Sequence, residues 1–261
     1  MAQEILKIAA FQFDLIWENV KANLENVGRL LELLPTQTDI VFLPEMFSTG
    51  FTMNAHKVAE PEDGETMNWL KSQASKYNVA ICGSLVIQED HKFFNRLVFV
   101  EPSGNFSQYD KRHLFTMGGE EKPYTRGERR LVIEYLGWRI CPLICYDLRF
   151  PVWARNLNDY DLLAYSANWP EQRSLVWNVL LKARAIENQS YVVGVNRVGA
   201  DGNKVSYSGQ SQVIDAKGNV MVQAKDYSEE IVCTELSYSK LILFRKKFPV
   251  LDDADSFSLE L

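Results

Sequence analysis

Short, unbroken apolar runs alternate along this chain with segments of helical periodicity, and no other feature restricts the fold as strongly. Residues 6–13 read as a strand ending at Asp14. Val20, Leu24, Val27, Leu31 and Leu34 then fall at helical spacing and stop before Pro35, where a helix cannot continue. The run Ile40-Val41-Phe42-Leu43 has the look of a buried strand, and it ends abruptly at Pro44-Glu45. That strand end delivers a carboxylate. Met67, Leu70, Ala74 and Tyr77 mark a second helix, followed by strands at 79–82, near 93–100 and near 105–110, the last two joined by the turn Pro102-Ser103-Gly104.

The second half repeats the alternation. Residues 112–130 form a polar, glycine-containing loop, long enough for a compact protein to suggest a functional role. After Gly137 the apolar run 138–144 predicts a strand ending at Cys145, with a short helix after Pro151 and a strand at 161–165. Val176, Val179, Leu180, Ala183 and Ile186 outline a long helix before a strand at 191–195. The last third reads mostly as strands, with turns at Asp201-Gly202 and Lys217-Gly218. Strands alternating with helices predict an α/β protein, and the adjacent hairpin-like strands predict mixed sheets. No repeat, low-complexity stretch or Pro/Gly/Ser linker divides the 261 residues, so one domain over 1–261 is expected.

Composition narrows the function. Thirty-four acidic against 28 basic residues give a net charge of −6, spread along the chain, which argues against a large nucleic-acid-binding face. No apolar run approaches the about 18–20 residues needed to cross a bilayer. The start, Met-Ala-Gln-Glu-Ile-Leu-Lys, lacks the pattern of an export signal, and the four cysteines show no CxxC spacing. Reduced thiols in a cytoplasmic protein, without membrane or nucleic-acid partners, are the expectation. Nor does any His/Cys/carboxylate cluster have metal-ligand spacing, so neither a metal nor a cofactor is expected, and activity should survive chelators.

Few residues are placed for covalent chemistry. Cys145 sits where an apolar strand gives way to Tyr146-Asp147-Leu148-Arg149-Phe150-Pro151, a turn that can expose a thiol beside backbone N–H groups. A free cysteine more often packs as a small hydrophobe, and that is the better reading for Cys82, Cys141 and Cys233, all inside strand patterns. The nucleophile needs a base. His56 and His91 lie in polar loops, and His113 reads better as a supporting residue. Glu45 can serve if its surroundings suit a carboxylate base, although a cap at a turn is an equally good account of it alone. Lys111, just past a strand, would stabilise a developing oxyanion, but lysines in such charged runs are mostly solvated. Glu120, in Gly118-Gly119-Glu120-Glu121, would by default be exposed.

Taken together, these segments resemble the nitrilase superfamily of carbon–nitrogen hydrolases. The resemblance rests on Leu43-Pro44-Glu45-Met46-Phe47, on Tyr109-Asp110-Lys111-Arg112-His113-Leu114-Phe115 and on Ile144-Cys145-Tyr146-Asp147-Leu148-Arg149-Phe150-Pro151, in the family's order and near its separations. It continues through Ser166-Ala167-Asn168-Trp169-Pro170 and Arg184-Ala185-Ile186-Glu187-Asn188. Within the superfamily the chain looks most like the bacterial omega-amidase branch, which hydrolyses 2-oxoglutaramate and related amides of short dicarboxylic acids. Trp169-Pro170-Glu171-Gln172-Arg173-Ser174-Leu175 and Lys247-Phe248-Pro249 with Asp253-Ala254-Asp255 carry that finer likeness.

The resemblance implies a four-layer αββα sandwich and a Glu–Lys–Cys triad at Glu45, Lys111 and Cys145. It places a further loop glutamate at Glu120, with Tyr124 and Gly127 following, and Glu121 as the neighbouring alternative. It implies a homodimer in which helices near the nucleophile meet. The expected chemistry is hydrolysis of a terminal carboxamide through a Cys145 thioester, with Lys111 and the Tyr146 backbone N–H holding the oxyanion. An N-carbamoyl amino-acid hydrolase or a nitrilase would use the same triad. A substrate carboxylate calls for a cation, and Arg149 and Arg173 are candidates by their proximity to these segments, with structural ion pairs as the alternative role.

Overall fold

In the computed structural model, which describes residues 2–259, the alternation resolves into two six-stranded sheets packed face to face. The first half of the chain supplies β1 (Ile5–Gln12), α1 (Val20–Glu32), β2 (Ile40–Phe42), α2 (Ala55–Val58), α3 (Glu65–Tyr77), β3 (Ala80–Glu89), β4 (Lys92–Val100) and β5 (Phe106–Asp110). The second supplies β6 (Ile133–Tyr135), β7 (Trp138–Ile144), α4 (Pro151–Ala154), β8 (Leu162–Ala167), α5 (Ser174–Asn188) and β9 (Tyr191–Asn196). A small hairpin of β10 (Val198–Ala200) and β11 (Ser206–Ser208) precedes β12 (Gln212–Ile214), β13 (Val220–Gln223), β14 (Glu230–Ser237) and α6 (Tyr238–Lys247).

Both sheets are mixed, as expected. The first runs β14-β1-β2-β3-β4-β5 and the second β13-β12-β9-β8-β7-β6. Each has a parallel centre, with Ile8 level with Ile40 and Ile40 with Ala80 in one, and Ile140 level with Leu162 and Leu162 with Tyr191 in the other. Strand β14 returns from the second half to pair antiparallel with β1.

Strand β1 shows why its sequence is apolar without a break. Leu6, Ile8 and Ala10 join the cluster that contains the second sheet, whereas Ala9 and Phe11 turn to α1 and α3. A strand buried on both faces leaves no room for polar alternation. Across the molecule, α5 lies on β9 so closely that a Cβ on Gly194 would strike Leu181 and Trp177. The order is thus helices, sheet, sheet, helix: the four-layer sandwich.

Two sequence readings are corrected. The helical spacing in α5 singles out Val176, Val179, Leu180, Ala183 and Ile186, but the buried residues are Trp177, Leu181, Arg184, Ala185 and Asn188. This helix is apolar on more than one stripe, so periodicity alone does not say which stripe meets the sheet. The last third also holds a helix, α6, where strands were expected. Its fully buried residue is Leu241, flanked by the partly buried Tyr238 and Phe244, a stripe too short to mark a helix in the sequence. Better signals were the Ser237 cap, which accepts from the Lys240 N–H, the basic last turn Arg245-Lys246-Lys247 and the following Pro249.

Candidate active site

Four strand ends converge at one edge of the sandwich. Beyond β2 the chain stays tied to the first sheet by the Leu43 N–H to the Cys82 carbonyl at 2.7 Å. It then turns through Met46, whose φ of 44° is left-handed and whose N–H donates to Ser84 Oγ at 2.8 Å. Glu45 is thereby projected inward from a fixed backbone and is fully buried. Lys111 follows β5 directly, its N–H bonded to the Asn95 carbonyl at 3.0 Å. Gly127 lets the following loop return against this point: a Cβ there would strike the Asp110 carbonyl, and its N–H donates to the Lys111 carbonyl at 2.9 Å.

Lys111 Nζ donates to Glu45 Oε1 at 2.7 Å and to Glu120 Oε1 and Oε2 at 3.0 and 2.9 Å. Asn95 Nδ2 spans the same two carboxylates, at 2.8 Å from Glu45 and 3.1 Å from Glu120. Glu120 Oε2 also accepts from the Phe115 N–H at 2.6 Å. The sequence left Glu120 and Glu121 as alternatives; Glu120 is buried in this cluster and Glu121 is exposed. Burial by itself would lower the Lys111 ammonium, but the carboxylates of Glu120 and Glu45 outweigh it and hold it above the ordinary lysine range. Burial raises Glu120, and Lys111 opposes that shift. Lysine stays charged here.

Cys145 ends β7 with a φ of 43°, a left-handed conformation that a non-glycine residue adopts at some cost. Asp147 Oδ2 holds the turn by accepting from the Ile144 N–H at 3.0 Å and from the Tyr109 hydroxyl at 2.8 Å. The thiol is 8% exposed, and its Sγ lies 3.7 Å from the Asn168 carbonyl at the end of β8. Burial raises it well above the ordinary cysteine range, the neighbouring Glu45 raises it further, and Lys111 opposes. It is therefore a neutral thiol at rest, and attack requires a base beside it.

Glu45, Lys111 and Cys145 line one cavity of ≈ 170 Å³. Tyr146 lines it too, in the first turn of a 3-10 helix (Cys145–Arg149), where backbone N–H groups have no acceptor within the helix. The outer wall carries Arg149, whose guanidinium lies 5.3 Å from the Trp169 ring, and Arg173, at 4.9 Å from the Phe115 ring. Neither is ion-paired among the described residues.

The sequence matches the carbon-nitrogen hydrolase family over residues 7–246. The chain belongs to this family. It is similar to omega-amidase YafV of Escherichia coli (strain K12), with 48% identity over 97% of this chain and 98% of that protein. It is also similar to 2-oxoglutaramate amidase of Bacillus subtilis (strain 168), with 31% identity over 94% and 96% of the two chains. Among solved structures, XC1258 of Xanthomonas campestris, a CN-hydrolase superfamily protein with an arsenic adduct in its active site, superposes with a TM-score of 0.96. Identity there is 43%, covering 99% of this chain and 100% of that one.

In this hydrolase His113 does not line the cavity. Its ring Nδ1 and backbone N–H meet Asp147 Oδ1 at 2.8 and 3.0 Å, and its ring stacks on Phe150. Two residues went unnoticed in the sequence as parts of the site: Asn95 and Asn168. Asn95 stands mid-strand with no motif around it. Asn168 lies in a stretch that carried the family likeness but gave no hint of what its amide would touch. No helix among the described residues is long and apolar enough to cross a membrane.

Proposed function

We propose that this carbon–nitrogen hydrolase cleaves the terminal carboxamide of a short dicarboxylic acid monoamide, 2-oxoglutaramate or a close relative, releasing ammonia. Glu45 takes the Cys145 proton as sulfur attacks the amide carbon. The resulting oxyanion is held by the Lys111 ammonium and the Tyr146 N–H. Glu45 then protonates the departing nitrogen as the C–N bond breaks, leaving an acyl thioester. It next takes a proton from water, which attacks the thioester, and the acid leaves as the thiol is restored. Glu120 holds Lys111 in place throughout.

The observation that carries the substrate class is that Arg149 and Arg173 line the same cavity as Cys145 without an ion-pair partner among the described residues. Lys111 is already engaged by Glu45 and Glu120, so the cations open to a substrate's free carboxylate are Arg149 and Arg173 on the outer wall. The cavity also falls below the about 300 Å³ of a typical drug-sized ligand pocket, as suits a short acyl chain. The names of the relatives support the same substrate.

The enzyme works as a homodimer in the cytoplasm. Leu175, Val179 and Ile186 fall on one exposed stripe of α5, a face suited to a second copy of the chain, and all four cysteines are free thiols. An ammonia-release panel tests the activity, comparing 2-oxoglutaramate, an N-carbamoyl amino acid and a simple nitrile with the C145A protein as blank. Turnover of 2-oxoglutaramate that disappears in a folded C145A protein is expected. Preference for the carbamoyl compound or the nitrile, or activity in C145A, overturns the reading.

A further inference from the structure

We propose that Asn168 is the positioning residue that aims Glu45 Oε2 at the Cys145 thiol. The inference rests on the reading of Glu45 as base and Cys145 as nucleophile.

The two oxygens of Glu45 are not equivalent. Oε1 accepts from Lys111 Nζ at 2.7 Å and from Asn95 Nδ2 at 2.8 Å, which occupies both of its lone pairs. Oε2 accepts from the Asn168 backbone N–H at 3.0 Å and keeps one lone pair free. Proton transfer from sulfur therefore goes to Oε2, the oxygen that Asn168 holds.

Asn168 meets the pair of reacting residues in three places. Its N–H holds Oε2, its carbonyl receives the Cys145 thiol at 3.7 Å, and its side-chain Nδ2 donates to the Glu45 backbone carbonyl. The first two contacts tie base and nucleophile to the N–H and the carbonyl of one residue. The third locks the base's own backbone to the same residue, so that β2 and β8, which lie in different sheets, hold a fixed separation here. Asn168 is itself anchored through its neighbour: the Trp169 N–H donates to Asn196 Oδ1 at 2.7 Å, and Asn196 Nδ2 donates to the Trp169 carbonyl at 3.0 Å. Asn168 Oδ1 is buried without a partner among the described residues, a cost that residues of smaller job description seldom carry.

A displacement of about 1 Å between reacting groups can cost about 100-fold in rate. Loss of the Nδ2 clamp should therefore lower kcat by about 10- to 100-fold with KM changed far less. The decisive test is a double-mutant cycle read on Cys145 alkylation by iodoacetamide in a C233S background, since Cys233 is exposed and Cys82 and Cys141 are buried. E45Q and N168A should each slow alkylation, and E45Q/N168A should be no slower than E45Q. Losses that multiply in the double variant, or an N168A protein that reacts at the parent rate, would overturn the role of Asn168. If E45Q reacts at the parent rate, Glu45 is not the base, and the mechanism falls together with this inference. Should N168A not fold, N168L, similar in volume and lacking the donor, takes its place in the cycle.

Discussion

Glu120 grips Lys111 with both carboxylate oxygens, at 2.9 and 3.0 Å, where neither side chain meets solvent. The pair fixes the ammonium independently of its bond to Glu45. Without it Lys111 has only Glu45 and Asn95's neighbourhood to settle against, and an ammonium drawn to the base neutralises the group that must accept the thiol proton. Glu120→Gln should lower kcat by about 100-fold or more, in the range of a lost oxyanion donor. It should also cost about 3 kcal/mol of stability, because one partner of a buried pair is left uncompensated. Steady-state ammonia release and urea unfolding read the two effects. A variant with normal kcat would remove Glu120 from the machinery.

The proposed carboxylate contacts of Arg149 and Arg173 should divide substrates by charge. Each guanidinium rests on an aromatic ring at the cavity wall, placed to receive a carboxylate without first breaking an ion pair. A hydrogen bond to a charged group is worth about 1.5–3 kcal/mol, or roughly 10- to 100-fold. Replacing either arginine with methionine should lower kcat/KM for 2-oxoglutaramate by about that factor and leave a neutral short amide nearly unaffected. Equal losses on both substrates would show that the arginines hold the wall and not the ligand.

The active centre was legible where chemistry is tied to strand ends. Glu45 and Cys145 each stand at the abrupt end of an apolar run, and that local pattern survives in a single sequence. Lys111 and Glu120 carry no such mark; without the family resemblance they read as solvated charges, yet both are buried. Asn95 and Asn168 lay further out of reach, because their importance comes from contacts between strands distant in the sequence: Asn168 reaches Glu45 across 123 positions. The same limit explains α5. The covered stripe includes Arg184 and Asn188, so by apolar spacing it is the poorer of the two, and only the second sheet decides that it is covered.

The uncovered stripe of α5 makes its own prediction. Leu175, Val179 and Ile186 are 76, 54 and 55% exposed, a run of large apolar side chains on one helix face. The opposite, buried side of the same helix holds the nucleophile turn directly, as Arg184 donates to the Leu148 carbonyl at 2.6 Å. The parent protein should sediment as the proposed dimer and V179E/I186E as a monomer, with lower kcat as α5 loses its outer support. A double variant that still sediments as a dimer would place the interface elsewhere.

Asp161 links acid stability to the helix that the sequence concealed. Its buried carboxylate accepts from Arg139 at 2.8 and 3.0 Å and from Arg245 at 2.7 Å, joining the start of β8 to β7 and to α6. Burial alone would raise Asp161, but its bonds to Arg139 and the charges of Arg245 and Arg139 prevail and hold it below the ordinary aspartate range. A carboxyl whose value is lower in the folded state contributes stability that is fully present above its unfolded value of about 3.9 and fades as pH falls through the folded value. Asp161→Asn should therefore cost about 3 kcal/mol at neutral pH, at the lower end for a broken buried pair because Arg139 is partly exposed. The gap between parent and variant should stay constant down to about pH 5 and narrow below about pH 4, as urea unfolding at a series of pH values would show. A gap that widened in acid would mean that the aspartate is raised in the folded state, and that α6 is held by its packing and not by this charge.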